Sequence, residues 1–376
     1  MASLKRRAYA ALFPLYRALL PTRVAGTAFV PRTAQRVLVI RHDRLGDMIL
    51  TTPVFDLLRQ LAPGVEVDVL ASPKNAALLA GDERVSRVIV DDGSWRGLWR
   101  LRRVLRARRY DAVFSLIPGR SIREGWTAGA ASRAGTHRVS TWRPKRYHGF
   151  FTRVVRLPRS LTTAHVSRQM SYVVRAAFAA PGRDVATASA LAAPIRLYVP
   201  AASRAAAAAF IAGAEIGAFV TLNLRSAAAA RSWSAAGARE LLPMILAAHP
   251  RLHVVLVPGP TDAAEAEAVR AAVASARVHL FDPAAPLLTL AALVARAAMM
   301  ITPDTMTLHL AVATGRPVLS LHTTIDGNVP DLWKAVGVSA RALVAPAGQG
   351  VPAIIAGEVA AAFEMLARDA GARLGD

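Results

Sequence analysis

The stretch VLVIRHDRLGDMILTTP, residues 37–53, joins an apolar strand pattern to a helical pattern through a Gly-Asp turn. A short β-branched run that leads directly into a helix is typical of a βα unit, and Gly46 permits the tight bend between the two elements. In open α/β sheets, ligands bind beyond the carboxyl ends of the strands. The stretch therefore predicts an α/β fold with Asp47 at a ligand-binding edge. The alternative is that Asp47 only caps the helix, which would need no further function.

The same alternation of strand and helix continues on both sides of this stretch. Further strands are expected at 65–71, 87–90, 112–116, 218–224, 253–257, 278–281, 299–302 and 317–321, after the first at 36–40. Helices are expected at 52–62, 96–109, 201–214 and 352–374. Repeated βα units build parallel sheets, so the pattern predicts two α/β domains. Residues 181–200, with four prolines and glycines, are expected to form a linker, within which 194–199 is also compatible with a strand.

Length and composition agree with a folded two-domain protein. The chain has 376 residues, and domains commonly hold about 100 to 200. A hydrophobic fraction of 53% excludes a disordered polycation, and the absence of cysteine excludes disulfides, thiolate zinc sites and cysteine nucleophiles. We divide the chain into a basic segment 1–30, an N-terminal domain 31–185, a C-terminal domain 186–350 and a terminal helix 351–376.

The net charge of +22 is confined to the first half of the chain. Residues 1–200 hold 34 basic and 12 acidic side chains, whereas residues 201–376 hold 13 of each. Arginines recur through 96–109, and 133–159 adds basic residues interleaved with Trp142, Tyr147, Phe150 and Phe151. Such stretches bind nucleic acid, anionic lipid headgroups or phosphorylated sugars, or they form a solvated helix face. Residues 1–21 are compatible with an interfacial helix or with a basic leader packed on its own domain.

Two further segments place polar residues after strands. Asn223 and Arg225 follow the strand at 218–224, and Arg231 precedes a helix start at Ser234, an arrangement suited to a phosphate. The alternative is a surface loop whose arginines are solvated, and Trp233 is expected to pack this loop down. In the third segment, ITPDTMTLHLA at 301–311, the helix start offers backbone N–H groups suited to a pyrophosphate. His and carboxylate residues are not clustered at a spacing that would predict a metal site. A lone histidine in such a helix, here His309, is usually structural.

Taken in this order, the three segments resemble glycosyltransferase family 9, the heptosyltransferases of lipopolysaccharide synthesis, over residues 37–333. The chain shares Gly-Asp and Thr-Thr-Pro of the first segment with the family. Its second and third segments stand where the family has a mid-chain Asn-Pro-Gly loop with Lys-Arg-Trp and an Asp-Thr-Gly-Pro-Met-His-Leu-Ala run. It implies a GT-B fold, in which two Rossmann-like domains face a cleft, with the acceptor on the N-terminal domain and the nucleotide sugar on the C-terminal one.

The resemblance also implies a reaction and roles for residues. The reaction is an inverting, metal-independent transfer of heptose from ADP-heptose, with no cofactor besides the donor, to a lipopolysaccharide-type acceptor. Asp47 matches the general base, with Arg44, Gly46 and Thr51 on the acceptor side. The donor-binding residues are Asn223, Arg225, Arg231, Asp304, Thr305, Met306, Thr307 and His309, of which Arg231 stands where the family has a phosphate-binding lysine.

The differences from the family pattern that bear most on function fall on the donor side. Asn-Pro-Gly is Asn223-Leu224-Arg225, Lys is Arg231, and the Gly after Asp-Thr is Met306. A side chain at Met306 is expected to crowd a close approach of the pyrophosphate, whereas arginine keeps the charge and adds a fork. The alternatives are therefore a related transferase that uses another nucleotide sugar for O-antigen, capsule or protein glycosylation, or a non-catalytic binder of nucleotide sugar or polyanions.

The resemblance and the charge together give the expected partners and location. The basic half fits an anionic glycolipid acceptor and peripheral contact with an anionic membrane, at the cytoplasmic face of the bacterial inner membrane. Nucleic acid is disfavoured because it would leave the three strand-end motifs without a role.

Overall fold

The computed structural model describes residues 29–117, 122–141, 149–180, 185 and 193–375, with only the backbone of Trp95, Ile122 and Asp326. Most of the basic segment 1–30, the aromatic residues Trp142 and Tyr147 and nearly all of the expected linker up to residue 192 lie outside the described residues. The interfacial helix at 1–21 therefore stays a prediction. The chain divides into two units, Met1–Ala193 and Pro194–Asp376.

The first unit is built on a six-stranded parallel sheet with the order β3-β2-β1-β4-β5-β6. The strands β1 to β6 are Arg36–Ile40, Glu66–Ala71, Arg87–Val90, Ala112–Ser115, His137–Thr141 and Arg153–Val155. Val37 pairs with Val67 on one side and with Ala112 on the other, so β1 is central. The first four match the sequence prediction. β5 and β6 were not predicted, because His137, Arg138 and Arg153 interrupt the apolar pattern that marks a buried strand.

Four helices cover this sheet in the described residues. They are α1 (Leu45–Leu61), α2 (Trp95–Arg108), α3 (Ile122–Ala130) and α4 (Val166–Phe178). α1 includes the expected helical stretch 52–62 and begins earlier, at Leu45 next to the Gly-Asp turn, so that Pro53 lies inside it. Proline leaves the carbonyl four residues earlier without its helical donor. The Thr52 hydroxyl donates to that carbonyl, on Ile49, at 2.8 Å, and so replaces the missing bond.

The second unit repeats the architecture. Its parallel sheet has the order β12-β11-β10-β7-β8-β9. The strands β7 to β12 are Phe219–Leu222, His253–Leu256, Val278–Leu280, Met300–Pro303, Val318–His322 and Ala340–Val344. The helices α5 to α11 are Ala201–Gly213, Ala235–Ala248, Ala263–Val273, Leu287–Val294, Met306–Ala313, Pro330–Trp333 and Ala356–Ala370. β12, the edge strand missed by the sequence prediction, is half-exposed along its length and so lacks a buried apolar run.

The two ends of the second unit are both described, up to residue 375. The first of them carries the segment 194–199, which the sequence left open between linker and strand. Residues 194–199 are not a strand. The terminal helix α11 packs on its own unit, since Val359 and Phe363 are fully buried in the core that also holds Leu241 of α6. In the described part of the chain, no helix is both long and apolar enough to cross a membrane.

Candidate active site

In the first unit, the strand order reverses between β1 and β4, and the Gly-Asp segment begins directly after β1. The chain runs outward from β1 through β2 to β3 and then returns to β4, on the other side of β1. At such a reversal the loops that follow the two neighbouring strands leave in opposite directions and open a crevice at the carboxyl edge of the sheet. Residues 41–47 therefore lie at the position where this architecture binds ligands.

Asp47 is fixed by an ion pair inside this crevice and is not the helix cap. The N-cap of α1 is Arg44, whose side chain makes no capping bond, and Asp47 is the third helical residue. Its side chain lies 3.0 Å from Nη2 of Arg41, and the residue is only 8% exposed. The interpretation of Asp47 as a simple helix cap is therefore wrong.

Arg41 holds the whole turn together and is itself 1% exposed. Besides Asp47, its guanidinium lies 3.3 Å from Oδ1 of Asp43 and donates to the carbonyl of Leu116, after β4, at 2.7 Å. Its Nε also donates to the backbone carbonyl of Asp47 at 3.3 Å. A buried arginine thus ties the loops after β1 and β4 to one another and fixes the position of two carboxylates.

Asp43 contacts the same arginine as Asp47, and the pKa of its carboxyl group is raised. Burial raises the pKa of Asp43 to about 6, Arg41 opposes the rise, and the negative charge of Asp47 adds to it. Two carboxylates beside one buried guanidinium compete for its charge, so the proton is more readily kept on Asp43. The neighbouring His42 is also largely buried, and burial lowers its pKa.

We expect Asp43→Asn to change how stability depends on pH. The folded pKa of about 6 exceeds the ordinary 3.8, so the native state keeps a proton that the unfolded chain releases. The stability that the protonated Asp43 contributes to the folded state is fully present below about pH 4 and is lost as the pH rises through about 6. The variant should therefore gain on the order of 2 kcal/mol relative to the wild type between pH 4 and 7, measured by urea unfolding. Parallel stability curves for the two proteins would contradict the raised pKa.

The three residues predicted for the acceptor side have different surroundings. Arg44 is exposed and Gly46 is half-buried, next to Asp47 in the chain. Thr51 is fully buried, and its hydroxyl donates to the carbonyl of Asp47 at 2.7 Å. Arg44 and Gly46 thus lie where a ligand can reach them, whereas Thr51 supports the backbone that carries Asp47.

In the second unit, the strand order reverses between β7 and β10, and the other two segments follow these strands. Asn223, just after β7, is buried, and its amide donates to the hydroxyls of Thr302 and Thr307 at 3.2 and 3.0 Å. The two threonine hydroxyls are 2.7 Å apart. The structure thus brings the predicted residues Asn223 and Thr307 together. Their side chains hydrogen-bond across the two loops rather than pointing to a ligand.

The start of α9 is the part of this crevice best suited to an anion. Thr305 is the N-cap and Met306 the half-buried first residue, so the first backbone N–H groups have no partner within the helix. Asp304, before the cap, is 9% exposed. Asn328 donates to its Oδ2 at 3.4 Å, and the Nδ1 atom of His322 lies 3.9 Å from the same oxygen. His309 is buried one turn further along α9.

Arg225 and Arg231, both predicted to bind donor phosphate, differ in what they contact. Nε of Arg225 lies 3.2 Å from Glu265 and 3.8 Å from Asp262, after β8. Arg231 ends the short 3-10 turn Ala229–Arg231, is half-buried, and has no ion pair within the described residues. Arg231 is therefore available for an anion, whereas Arg225 is already neutralised by carboxylates.

The Arg231 loop is held against the start of α9. The Ser226 hydroxyl donates to the carbonyl of Asp304 at 3.4 Å, and Ser232 accepts the Ser226 backbone N–H at 3.0 Å. Trp233 is 1% exposed and donates from Nε1 to the carbonyl of Ile354 at 2.8 Å. The expectation that Trp233 anchors this loop is confirmed.

Several residues at these two crevices were not predicted to be functional. Arg41 and Asp43 lie inside the quoted first segment, and an arginine directly after a central strand was the signal that could have drawn attention to them. Asp262 and Glu265 carry no motif, and only the pairing of β7 with β8 brings them to Arg225. Among the residues that the structure describes, no group of three His, Asp or Glu side chains is arranged to hold a metal ion.

Two Rossmann-like units, each with polar loops at its strand-order reversal, define a GT-B-like fold. The family model of glycosyltransferase family 9 (heptosyltransferase) matches residues 98–350, and the chain belongs to this family. Both the predicted fold class and the predicted family are thus confirmed. A comparison with curated proteins finds no match.

Solved structures support the same fold. A family 9 glycosyltransferase from Veillonella parvula DSM 2008 is 19% identical with a TM-score of 0.76, over 91% of this chain and 100% of that one. The ADP-heptose lps heptosyltransferase II of E. coli is 20% identical with a TM-score of 0.74, over 89% and 99%. The E. coli heptosyltransferase WaaC with ADP is 20% identical with a TM-score of 0.66, over 89% and 99%.

Proposed function

We propose that this family 9 glycosyltransferase moves a heptose from ADP-heptose to a lipopolysaccharide-type acceptor, with inversion at the anomeric carbon. The observation that carries the proposal is the position of Asp47, a nearly buried carboxylate fixed by Arg41 at the ligand-binding edge of the first unit. A positioned carboxylate of this kind is the group that a direct displacement requires as its base. The relatives whose structures are described with ADP or as ADP-heptose enzymes favour that donor.

In the proposal, the second unit binds the donor. The start of α9 offers backbone N–H groups and the positive end of the helix to the diphosphate. Arg231, on the adjoining loop, adds a guanidinium that pairs with no carboxylate in the described part of the chain. Asp304 accepts hydrogen bonds from hydroxyls of the sugar. Asp262 and Glu265 follow β8, the neighbour of β7. Rossmann-like domains carry at this position the carboxylates that accept hydrogen bonds from ribose hydroxyls.

The chemical step is one displacement. The acceptor oxygen forms a bond to the anomeric carbon while the bond from that carbon to the diphosphate oxygen breaks. The proton of the acceptor hydroxyl goes to Asp47, and the electron pair leaves with ADP. Because attack and departure occur on opposite faces, the anomeric configuration inverts. The charge that develops on ADP is stabilised by Arg231 and the start of α9, so these groups act more strongly in the transition state than in the ground state.

The acceptor is expected to be anionic and linked to lipid. All of the +22 net charge belongs to the first half of the chain, which holds Asp47, while the half that binds the donor is neutral. A basic surface raises the local concentration of an anionic acceptor and steers it towards the site. A phosphorylated inner-core glycolipid has this chemistry, and it puts the reaction at the cytoplasmic face of the bacterial inner membrane.

A thermal-shift panel of ADP-heptose and representative GDP-, UDP- and dTDP-sugars tests the donor. A ligand that binds only the folded state stabilises it in proportion to the logarithm of its concentration over Kd, so ADP-heptose should raise Tm most. A larger shift with another nucleotide sugar would favour the alternative transferase for O-antigen, capsule or protein glycosylation. No shift with any of them would contradict a donor site, and a shift without turnover would indicate a non-catalytic binder.

A further inference from the structure

Helix α2, in the first unit, has a solvent-facing side that the proposed reaction does not use. Its apolar side, formed by Leu98, Leu101 and Leu105, is buried in the core of that unit. The opposite side carries exposed arginines at helical spacing: Arg96, Arg100, Arg102, Arg103 and Arg106. We call these arginines, together with Trp99, the α2 face.

A tryptophan lies in the middle of the α2 face. Trp99 is 66% exposed, and the guanidinium of Arg102 lies 5.8 Å from the centre of its ring. The helical spacing also brings Arg96, Arg103 and Arg106 beside it, three, four and seven residues away in the chain. Val104, at the border of the face, is 42% exposed. One exposed ring is not an apolar patch, but a tryptophan surrounded by arginines is the combination that favours the interface of an anionic membrane.

The positive charge of the α2 face is largely uncompensated. The helix contains no acidic residue, and Arg100 pairs with Asp92 at 3.2 Å. Within the described residues, Arg96, Arg102, Arg103 and Arg106 have no carboxylate within ion-pair distance. Arg108, on the buried side of the same helix, differs, because it pairs with Asp68 and Glu66 at 2.7 Å. The arginine run thus combines a structural residue with a set that is free to bind anions.

We propose that the α2 face docks the first unit on an anionic phospholipid bilayer. The arginines pair with headgroup phosphates, and Trp99 enters the interfacial layer, where tryptophan is preferred because one part of its ring system is apolar and the other polar. Nucleic acid is a poorer occupant, because single strands are bound in basic grooves with successive stacking platforms, whereas this face is one side of a helix with one aromatic ring.

The test measures binding of the full chain to vesicles of phosphatidylglycerol and phosphatidylethanolamine in equal parts, without any glycolipid, by co-sedimentation. Binding is expected to these vesicles and not to phosphatidylcholine vesicles. The double variant Arg102→Gln/Arg103→Gln should lower the partition coefficient about tenfold or more, since each basic residue contributes separately near an anionic surface. Trp99→Ala should lower it several-fold and leave Tm unchanged, because the side chain is exposed.

The matched control is Arg239→Gln/Arg368→Gln, which removes the same charge from exposed positions on α6 and α11 of the second unit. It should bind vesicles as the wild type does. Equal weakening in both double variants would mean that net charge alone drives binding and would overturn the proposal. The proposal would also be overturned by unchanged binding of the α2 variants or by a requirement for lipopolysaccharide in the vesicles. Tighter binding of a single-stranded oligonucleotide through the same arginines would overturn it as well.

Discussion

Asp47→Asn is expected to lower kcat by roughly 10²- to 10⁴-fold, the usual contribution of a general base. The amide keeps the size of the side chain but cannot accept the proton of the acceptor hydroxyl as the new glycosidic bond forms. Binding of the donor should change little, because Asp47 belongs to the other unit and contacts Arg41. The measurement is the steady-state rate with donor and acceptor both saturating.

Asp56→Asn provides the matched control for this variant. Asp56 lies on the same helix and forms a partly exposed ion pair with Arg84 at 2.9 Å, and Arg84 keeps a second partner in Asp82. The control should retain the wild-type rate. Circular dichroism and Tm of both variants would separate a chemical effect from unfolding, since Asp47→Asn also leaves the buried Arg41 with one carboxylate fewer. A wild-type rate for Asp47→Asn would show that Asp47 is not the base.

Arg231→Ala is expected to lower kcat/KM by roughly 10²- to 10³-fold. Removing one group that stabilises developing charge costs about this much in enzymes, and a hydrogen bond to a charged partner also contributes to ground-state affinity. Donor affinity, measured by calorimetry with ADP, should fall about tenfold or more. Arg231→Lys should recover part of both losses, because it keeps the charge but not the two-pronged geometry of the guanidinium.

Arg225→Ala is the internal comparison for Arg231. Its guanidinium already pairs with Glu265 and Asp262 and is partly exposed, so its removal should weaken ADP binding less than the loss of Arg231 does. Unchanged affinity for ADP in Arg231→Ala would remove the phosphate-binding role of this residue. A larger effect at Arg225 than at Arg231 would mean that the diphosphate lies closer to β8 than we propose.

The strands that decide the fold are predictable because they are buried on both faces. β1 and β7 read as short apolar runs, and a polar segment follows each of them, so the carboxyl edges of both sheets could be located from the sequence. β5 and β12 could not, since one contains basic residues and the other is a half-exposed edge. The expected helix 52–62 is only the later part of α1, which begins at Leu45 and continues through Pro53, where the Thr52 hydroxyl replaces the bond that proline cannot make.

The site was predictable to the level of segments but not of contacts. The sequence places Asp47 and Arg231 in segments that follow strand ends, yet it does not tell whether Arg225 or Arg231 lacks a carboxylate partner among the described residues. Arg225 is neutralised by carboxylates from the loop after the neighbouring strand, and this pairing depends on strand order, which joins residues distant in the chain. Arg41 pairs with Asp43 and Asp47 inside one turn, and these contacts depend on how that turn folds. The same holds for the arginine run of α2, in which only the fold separates Arg108 from Arg102 and Arg103.

The central claim, glycosyl transfer from ADP-heptose, is tested most directly by the mass of the acceptor. The purified chain is incubated with ADP-heptose and a phosphorylated inner-core lipopolysaccharide acceptor, and the glycolipid is followed by mass spectrometry. We predict that the acceptor gains one heptose unit with release of one equivalent of ADP, and that this gain is lost in Asp47→Asn. An acceptor of unchanged mass, with a folded protein that binds ADP-heptose, would contradict the account.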